Sequence, residues 1–232
     1  MSRKFRIEQD CYDDGCKLYK KKDITIRDGV TVLVGCNGIG KTTLLHQLRD
    51  RLKKDGIPVL TFDNLKDGGN NAISSAGFYG DFNFMATAIV SSEGENIVMN
   101  MGKLASKLRH FIKTGETDER GDAISRAFRR TCGEETEKRE VPKERWLLLD
   151  AIDSGLSVDN VVDIKELLFK TILKDKGDCD VYIVVSANGF EMARGEKCFD
   201  VYNGKYVKFS DYEEYRQFIL DSKKTKENRY KE

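Results

Sequence analysis

The chain has 232 residues, of which 34% are charged, and a formal net charge of +1. That length suits one sizeable α/β core with room for a small embedded subdomain. The near-zero net charge excludes a global field that would drive the chain onto nucleic acid, leaving only local basic patches, and no apolar run nears the ~20 residues needed to span a bilayer.

The start, Met1-Ser2-Arg3-Lys4, leads into no signal-like apolar stretch. The six cysteines are scattered, and Cys11 and Cys16 have no second pair at metal-site spacing. The expectation is a cytoplasmic protein with reduced thiols. Short apolar patches between Phe5 and Ile26, broken by Asp13-Asp14-Gly15, predict an N-terminal β-hairpin. The run Val30-Thr31-Val32-Leu33-Val34 then predicts a buried strand, and Lys41 to Lys54 a helix.

Between that strand and helix stands Gly35-Cys36-Asn37-Gly38-Ile39-Gly40-Lys41-Thr42-Thr43. Gly35, Gly40, Lys41 and Thr42 fit the Walker A phosphate-loop pattern at its full spacing, with a strand before and a helix after. Glycines let the backbone curl so that successive N–H groups face phosphate oxygens, and the helix N-terminus adds positive potential. Asn37, Gly38 and Thr43 belong to the same cradle. Lys41 is expected to reach the β- and γ-phosphates and Thr42 to place a hydroxyl on Mg²⁺. A glycine-rich turn that merely precedes a helix is the bland alternative. The pattern implies binding of a nucleoside triphosphate, and a bulky adduct on Cys36 would block it.

Ile57 to Phe62 predicts a second core strand, and Asp63 to Gly80, rich in Gly, Asn and Asp, a long loop. From Ile97 the residues Met101, Leu104, Leu108 and Phe111 recur at helical spacing, most simply as a core face. Residues 114–143 carry dense charge of both signs and predict an exposed insertion. Arg126, Arg129 and Arg130 could meet phosphates there, although a solvated face is the simpler reading. Trp146-Leu147-Leu148-Leu149 predicts a buried strand, Val158 to Leu173 a helix, and Val181 to Val185 another strand. A hairpin near Phe199 to Val207 and a helix from Asp211 follow, and the charged residues 223–232 are expected to fray into a disordered tail. No internal repeat is evident.

These segments together resemble the ATP-binding cassette ATPases, and more their RecF/SMC-like soluble branch than their transporter branch. The phosphate loop is similar to that family's. Ser91-Ser92-Glu93-Gly94-Glu95 resembles its signature motif, and Trp146 to Asp150 its Walker B strand. Ser154-Gly155-Leu156-Ser157 resembles its dimer-contact loop, and Ile183 to Asn188 its switch strand. The resemblance runs from about Ile24 to Tyr206. It implies one α/β ATP-binding domain of P-loop NTPase type over 1–232, with the hairpin at its N-terminus and the charged insertion before Walker B. It implies ATP and Mg²⁺ as ligands, with Thr42 and Asp150 holding the metal. Ser92 and Gly94 would cap the γ-phosphate held by a second subunit, although Ser92 with Glu95 also reads as an ordinary helix cap.

Two positions depart from the family pattern. Its efficient hydrolases carry glutamate after the Walker B aspartate, where Ala151 stands here. Asn188 occupies the place of the switch histidine, and an amide takes up no proton at neutral pH. Asp153 is a candidate substitute carboxylate, with a turn-forming role as the alternative. The glutamine that follows the second core strand in the family is not evident, with Asn64 and Asp67 as nearby polar candidates. Tyr19 is a candidate for stacking on adenine or for core packing. The catalytic set is thus Lys41, Asp150, Asp153 and Asn188.

The resulting expectation is an ATP-dependent homodimer, or a subunit of a larger complex, with slow or partner-dependent hydrolysis, acting on nucleic acid or an effector protein. A nucleotide-sensing module without hydrolysis is the alternative. A transporter subunit is less favoured, because the interval from Lys41 to Ser91 leaves little room for a membrane-docking subdomain.

Overall fold

The computed structural model describes residues 1–9, 17–63, 93–116 and 142–229, with backbone only at 93–101 and 103. Strand β1 (Ser2–Arg6) pairs antiparallel with β2 (Asp23–Arg27), Ser2 opposite Arg27 and Arg6 opposite Asp23. This is the expected hairpin, while its Asp13–Gly15 turn lies outside the described residues. A six-stranded sheet follows, in the order β4 (Val59–Asp63), β5 (Glu144–Asp150), β6 (Asp180–Ser186), β3 (Gly29–Val34), β7 (Lys197–Asp200), β8 (Lys205–Val207). The first five strands run parallel, and β8 closes the edge antiparallel to β7. The chain has an α/β fold with a mostly parallel sheet, in which the strand before the glycine-rich loop stands one strand away from β5.

Alternation sorts the sheet residues onto two cores. Val30, Val32, Val34, Leu147, Leu149, Ile183 and Val185 face Leu108, Phe111 and Ile112 of helix α2 (Glu93–Thr114). Ile164, Phe169 and Ile172 close the same core from the helical segment that follows β5. That segment runs as α3 (Val158–Asp163), a π-helical stretch (Ile164–Phe169) and α4 (Lys170–Lys174). On the opposite face, Leu33, Trp146, Leu148 and Val184 pack on Leu44, Leu45, Leu48 and Leu52 of α1 (Lys41–Lys54) and on Phe5, Ile24 and Ile26 of the hairpin. Trp146 stacks on Tyr182 with ring centroids 4.2 Å apart and meets Phe5 edge-on at 5.2 Å. Strands covered on both faces read as continuous apolar runs, which is why the sequence marked them.

Helix α5 (Phe190–Ala193) follows β6, and α6 (Tyr212–Asn228) ends the described chain. Asp211 caps α6 by accepting the Glu214 N–H at 2.9 Å. The segment from Lys223, expected to fray, is instead helical to Asn228, and Lys226 and Arg229 are bonded to the main chain of Asn37 and Ile39. Helix α2 begins at Glu93, four residues earlier than the apolar pattern suggested. Asn64, Asp67, Ser91, Ser92, Arg126, Arg129 and Arg130 lie outside the described residues. Only the two ends of the 114–143 insertion are described.

Candidate functional site

Parallel strands present their carboxyl ends at one edge, where open α/β sheets gather ligands. Here that edge holds Gly35 after β3, Ser186 to Asn188 at the end of β6 and Asp150 at the end of β5. Because β6 lies between β3 and β5, the phosphate loop and Asp150 are separated by two strand spacings, about 10 Å.

The loop's curl is set by its glycines. Gly35, Gly38 and Gly40 adopt φ of +142°, +76° and +115°, a region that L side chains rarely enter. Space agrees with conformation at two of them. A Cβ on Gly35 would lie 2.9 Å from Ile39 Cγ2, and one on Gly40 would lie 3.1 Å from the Tyr19 ring.

The carbonyl oxygens of the loop are drawn to donors around it. Lys41 Nζ donates to the Gly35 carbonyl at 2.8 Å and to that of Cys36 at 3.4 Å. Tyr19 Oη donates to the Gly40 carbonyl at 2.8 Å. Lys226 Nζ donates to the Asn37 carbonyl at 3.0 Å, and Arg229 Nη1 to that of Ile39 at 3.3 Å. Tyr19 is only 1% exposed. It is therefore a buried support beneath Gly40, with no face open for adenine, which settles its two candidate roles in favour of packing.

Lys41 is 8% exposed, unusual for a lysine. Burial pushes its ammonium below the ordinary lysine value, and electrostatic interaction with Cys36, Asp153 and Asp150 partly offsets this. Thr42 is exposed and Thr43 half-buried in the first turn of α1, and Asn37 and Gly38 are exposed at the loop's crest.

Asp150 is oriented by a neighbour that the sequence reading did not single out. Ser186 Oγ donates to Asp150 Oδ1 and accepts the Ala151 N–H at 2.8 Å. The signal was present in the sequence as a hydroxyl at the end of an apolar strand, but its partner required knowledge that β5 and β6 are adjacent. Ala151 itself has φ +51°, so an apolar L residue holds a left-handed turn where the family pattern has glutamate.

Asp153 is 8% exposed. Its Oδ2 accepts the N–H groups of Asn188 at 2.9 Å and Gly189 at 2.8 Å, tying the turn after β5 to the turn after β6. Its Oδ1 is buried with no hydrogen-bond partner among the described residues. Asp153 therefore has the turn-holding role and also an unspent carboxylate oxygen. Asn188 is exposed, and its Nδ2 donates to Ser154 Oγ at 2.9 Å. Gly94 falls in the first turn of α2.

Among the described residues there is no group of three or more His, Cys, Asp or Glu side chains that could hold a metal by themselves. Mg²⁺ does not need such a cage, since it is usually held by one or two protein oxygens with phosphate and water. Thr42 and Asp150 suit that donor set, whereas the unspent oxygen of Asp153 is closed off from solvent.

The chain matches no family model, and no curated protein matches it. Among solved structures it is similar to a nucleotide-free ATP-binding cassette from an ABC transporter, at 16% identity and a TM-score of 0.43, over 95% of this chain and 94% of that one. Among the described residues no helix is long and apolar enough to cross a membrane.

Proposed function

We propose that this chain binds Mg-ATP through residues 35–43 and hydrolyses it slowly, as the nucleotide-dependent head of a soluble, cytoplasmic assembly of ATP-binding-cassette type. The observation that carries this reading is the junction of the loop with its surroundings. Three left-handed glycines curl it ahead of α1, a buried lysine lies within it, and Asp150 and Asp153 bias that lysine electrostatically from the end of β5 and the turn after it. A buried ammonium facing a curled loop is a site for a polyanion.

Lys41 would leave the Gly35 and Cys36 carbonyls for the β- and γ-phosphates, and the loop amides would hold the remaining phosphate oxygens. Thr42 and Asp150 would hold Mg²⁺, which neutralises charge as the terminal phosphoryl group departs. Ser186 keeps the Asp150 carboxylate in place for that role. Once nucleotide binding opened the turn that buries it, Asp153 Oδ1 would accept a hydrogen bond from the attacking water, and the Asn188 side chain would orient its far side. With no carboxylate at Ala151, turnover depends on this less direct arrangement. A second copy of the chain or a partner protein, presenting Ser92 and Gly94 across the γ-phosphate, would complete the site. Nucleic acid or an effector protein is the target we assign to the assembled state.

One observation favours the reading without hydrolysis: Asp153 Oδ2 is already committed to two backbone amides. Phosphate release from Mg-ATP by the purified protein separates the two readings. Slow release that disappears in Lys41→Ala and in Asp153→Asn supports the ATPase. Tight ATP binding with no release in the wild type makes the chain a nucleotide-held switch.

A further inference from the structure

One face of α6 has a division of labour that neither the loop motif nor the hairpin requires. Tyr215, Phe218 and Ile219 pack its first half into the cores. The next residues on the same face, at helical spacings of three and four, are Ser222, Lys226 and Arg229. These three meet the phosphate loop. Ser222 Oγ accepts the Cys36 N–H at 3.1 Å, Lys226 Nζ donates to the Asn37 carbonyl at 3.0 Å, and Arg229 Nη1 donates to the Ile39 carbonyl at 3.3 Å. The Arg229 guanidinium also lies over the Tyr202 ring, 4.6 Å from its centroid.

We infer that the C-terminal helix belongs to the nucleotide site, with Lys226 and Arg229 as cationic positioning residues for the polyphosphate. The inference rests on residues 35–43 being that site. Two arguments carry it. Carbonyl oxygens held outward by Lys226 and Arg229 cannot turn into the cradle, so the anion meets loop N–H groups other than those of Cys36 and Ile39, which are bonded to Ser222 Oγ and the Cys36 carbonyl. The second argument is electrostatic. Two further cations on the loop carbonyls raise the potential at the loop, and Arg229 Nε and Nη2 are buried with no hydrogen-bond partner among the described residues. Burying unspent charged donors is costly, and an anion on the loop reduces that cost. Helix docking and nucleotide binding are thereby coupled, each favouring the other.

The test is calorimetric titration of the full chain with Mg-ATP. The variants are Lys226→Met, which keeps the apolar stem without the charge, Lys226→Arg, Arg229→Ala and, as reference, Lys41→Ala. The expected result is affinity lowered about tenfold in Lys226→Met and in Arg229→Ala, each with an unchanged melting temperature. Lys226→Arg should restore binding to within about threefold of wild type, a rescue that follows charge and not packing. Wild-type affinity in both Lys226→Met and Arg229→Ala, with binding lost in Lys41→Ala, overturns this inference and leaves the site itself standing. A wild-type chain that takes up no Mg-ATP overturns both.

Discussion

Ser186 Oγ, at the end of β6, donates to Asp150 Oδ1, at the end of β5, and the same hydroxyl accepts the N–H of Ala151. One side chain thus fixes the aspartate and the start of the left-handed turn behind it. Ser186→Ala removes a hydrogen bond to a charged group and leaves the Ala151 N–H unpaired, so a loss of about 1.5–3 kcal/mol is expected in urea unfolding. The variant should also need more Mg²⁺ for half-maximal ATP binding, because a mobile Asp150 holds the metal less well. An unchanged Mg²⁺ requirement would show that Asp150 is not a metal ligand.

Asp153 combines an anchoring oxygen with an unspent one, and two substitutions separate them. Asn presents one carbonyl oxygen to the Asn188 and Gly189 amides and so preserves the anchor. Asp153→Asn should remain within about 1 kcal/mol of wild type, whereas Asp153→Ala loses both bonds and about 3 kcal/mol. Both should lower turnover by about 10² or more, as loss of a positioned base does. Wild-type turnover in Asp153→Asn would assign Asp153 to the fold alone.

Apolar runs with a glycine-rich loop between strand and helix made β3, α1, β5 and β6 legible, because buried parallel strands and Walker A spacing are local signals. The position of Asp150 at the end of β5 was legible for the same reason. What the sequence did not disclose depends on adjacency in space. Ser186 gains its role only when β6 lies beside β5, and Tyr19 loses its candidate stacking role only when the loop is seen to lie on it. Lys223 to Asn228 looked like a solvated tail because charge dominates its composition. Two of its neighbourhood's cations are in fact spent on backbone oxygens far away in sequence.

Gly40 is where conformation and space forbid a side chain together. With φ at +115° and Tyr19 atoms 3.1 Å from a Cβ, Gly40→Ala should cost at least about 2 kcal/mol in chemical unfolding. Tyr19→Phe keeps the ring and removes the donor to the Gly40 carbonyl, for a loss of about 1 kcal/mol. A Gly40→Ala variant as stable as wild type would contradict the packing of Tyr19 beneath the loop.

Burial pushes the Cys198 thiol from 9.0 up to about 12 and the Tyr215 hydroxyl from 10.0 up to about 12. Both groups are held protonated by the fold. Their contribution to stability is complete below the unfolded values and is lost as pH rises toward about 12. Melting temperature should therefore fall on the alkaline side, and Cys198→Ala should make that fall shallower by the share of one proton. Lys41 acts in the opposite sense, since burial lowers its value and its deprotonation relieves a buried charge.

Ala151 leaves the turn after β5 without the carboxylate that the family pattern places there. Ala151→Glu should raise phosphate release by at least about tenfold if hydrolysis is limited by water activation. Release that stays at the wild-type rate would move the limitation elsewhere, to assembly or to product departure.

The central claim is that residues 35–43 hold the phosphates of Mg-ATP through Lys41, and equilibrium titration of the wild-type chain beside Lys41→Ala tests it most directly. The account predicts saturable, stoichiometric binding in the wild type and loss of most affinity in Lys41→Ala, with the fold intact by circular dichroism. Equal affinity in the two chains, or no binding in either, would contradict it.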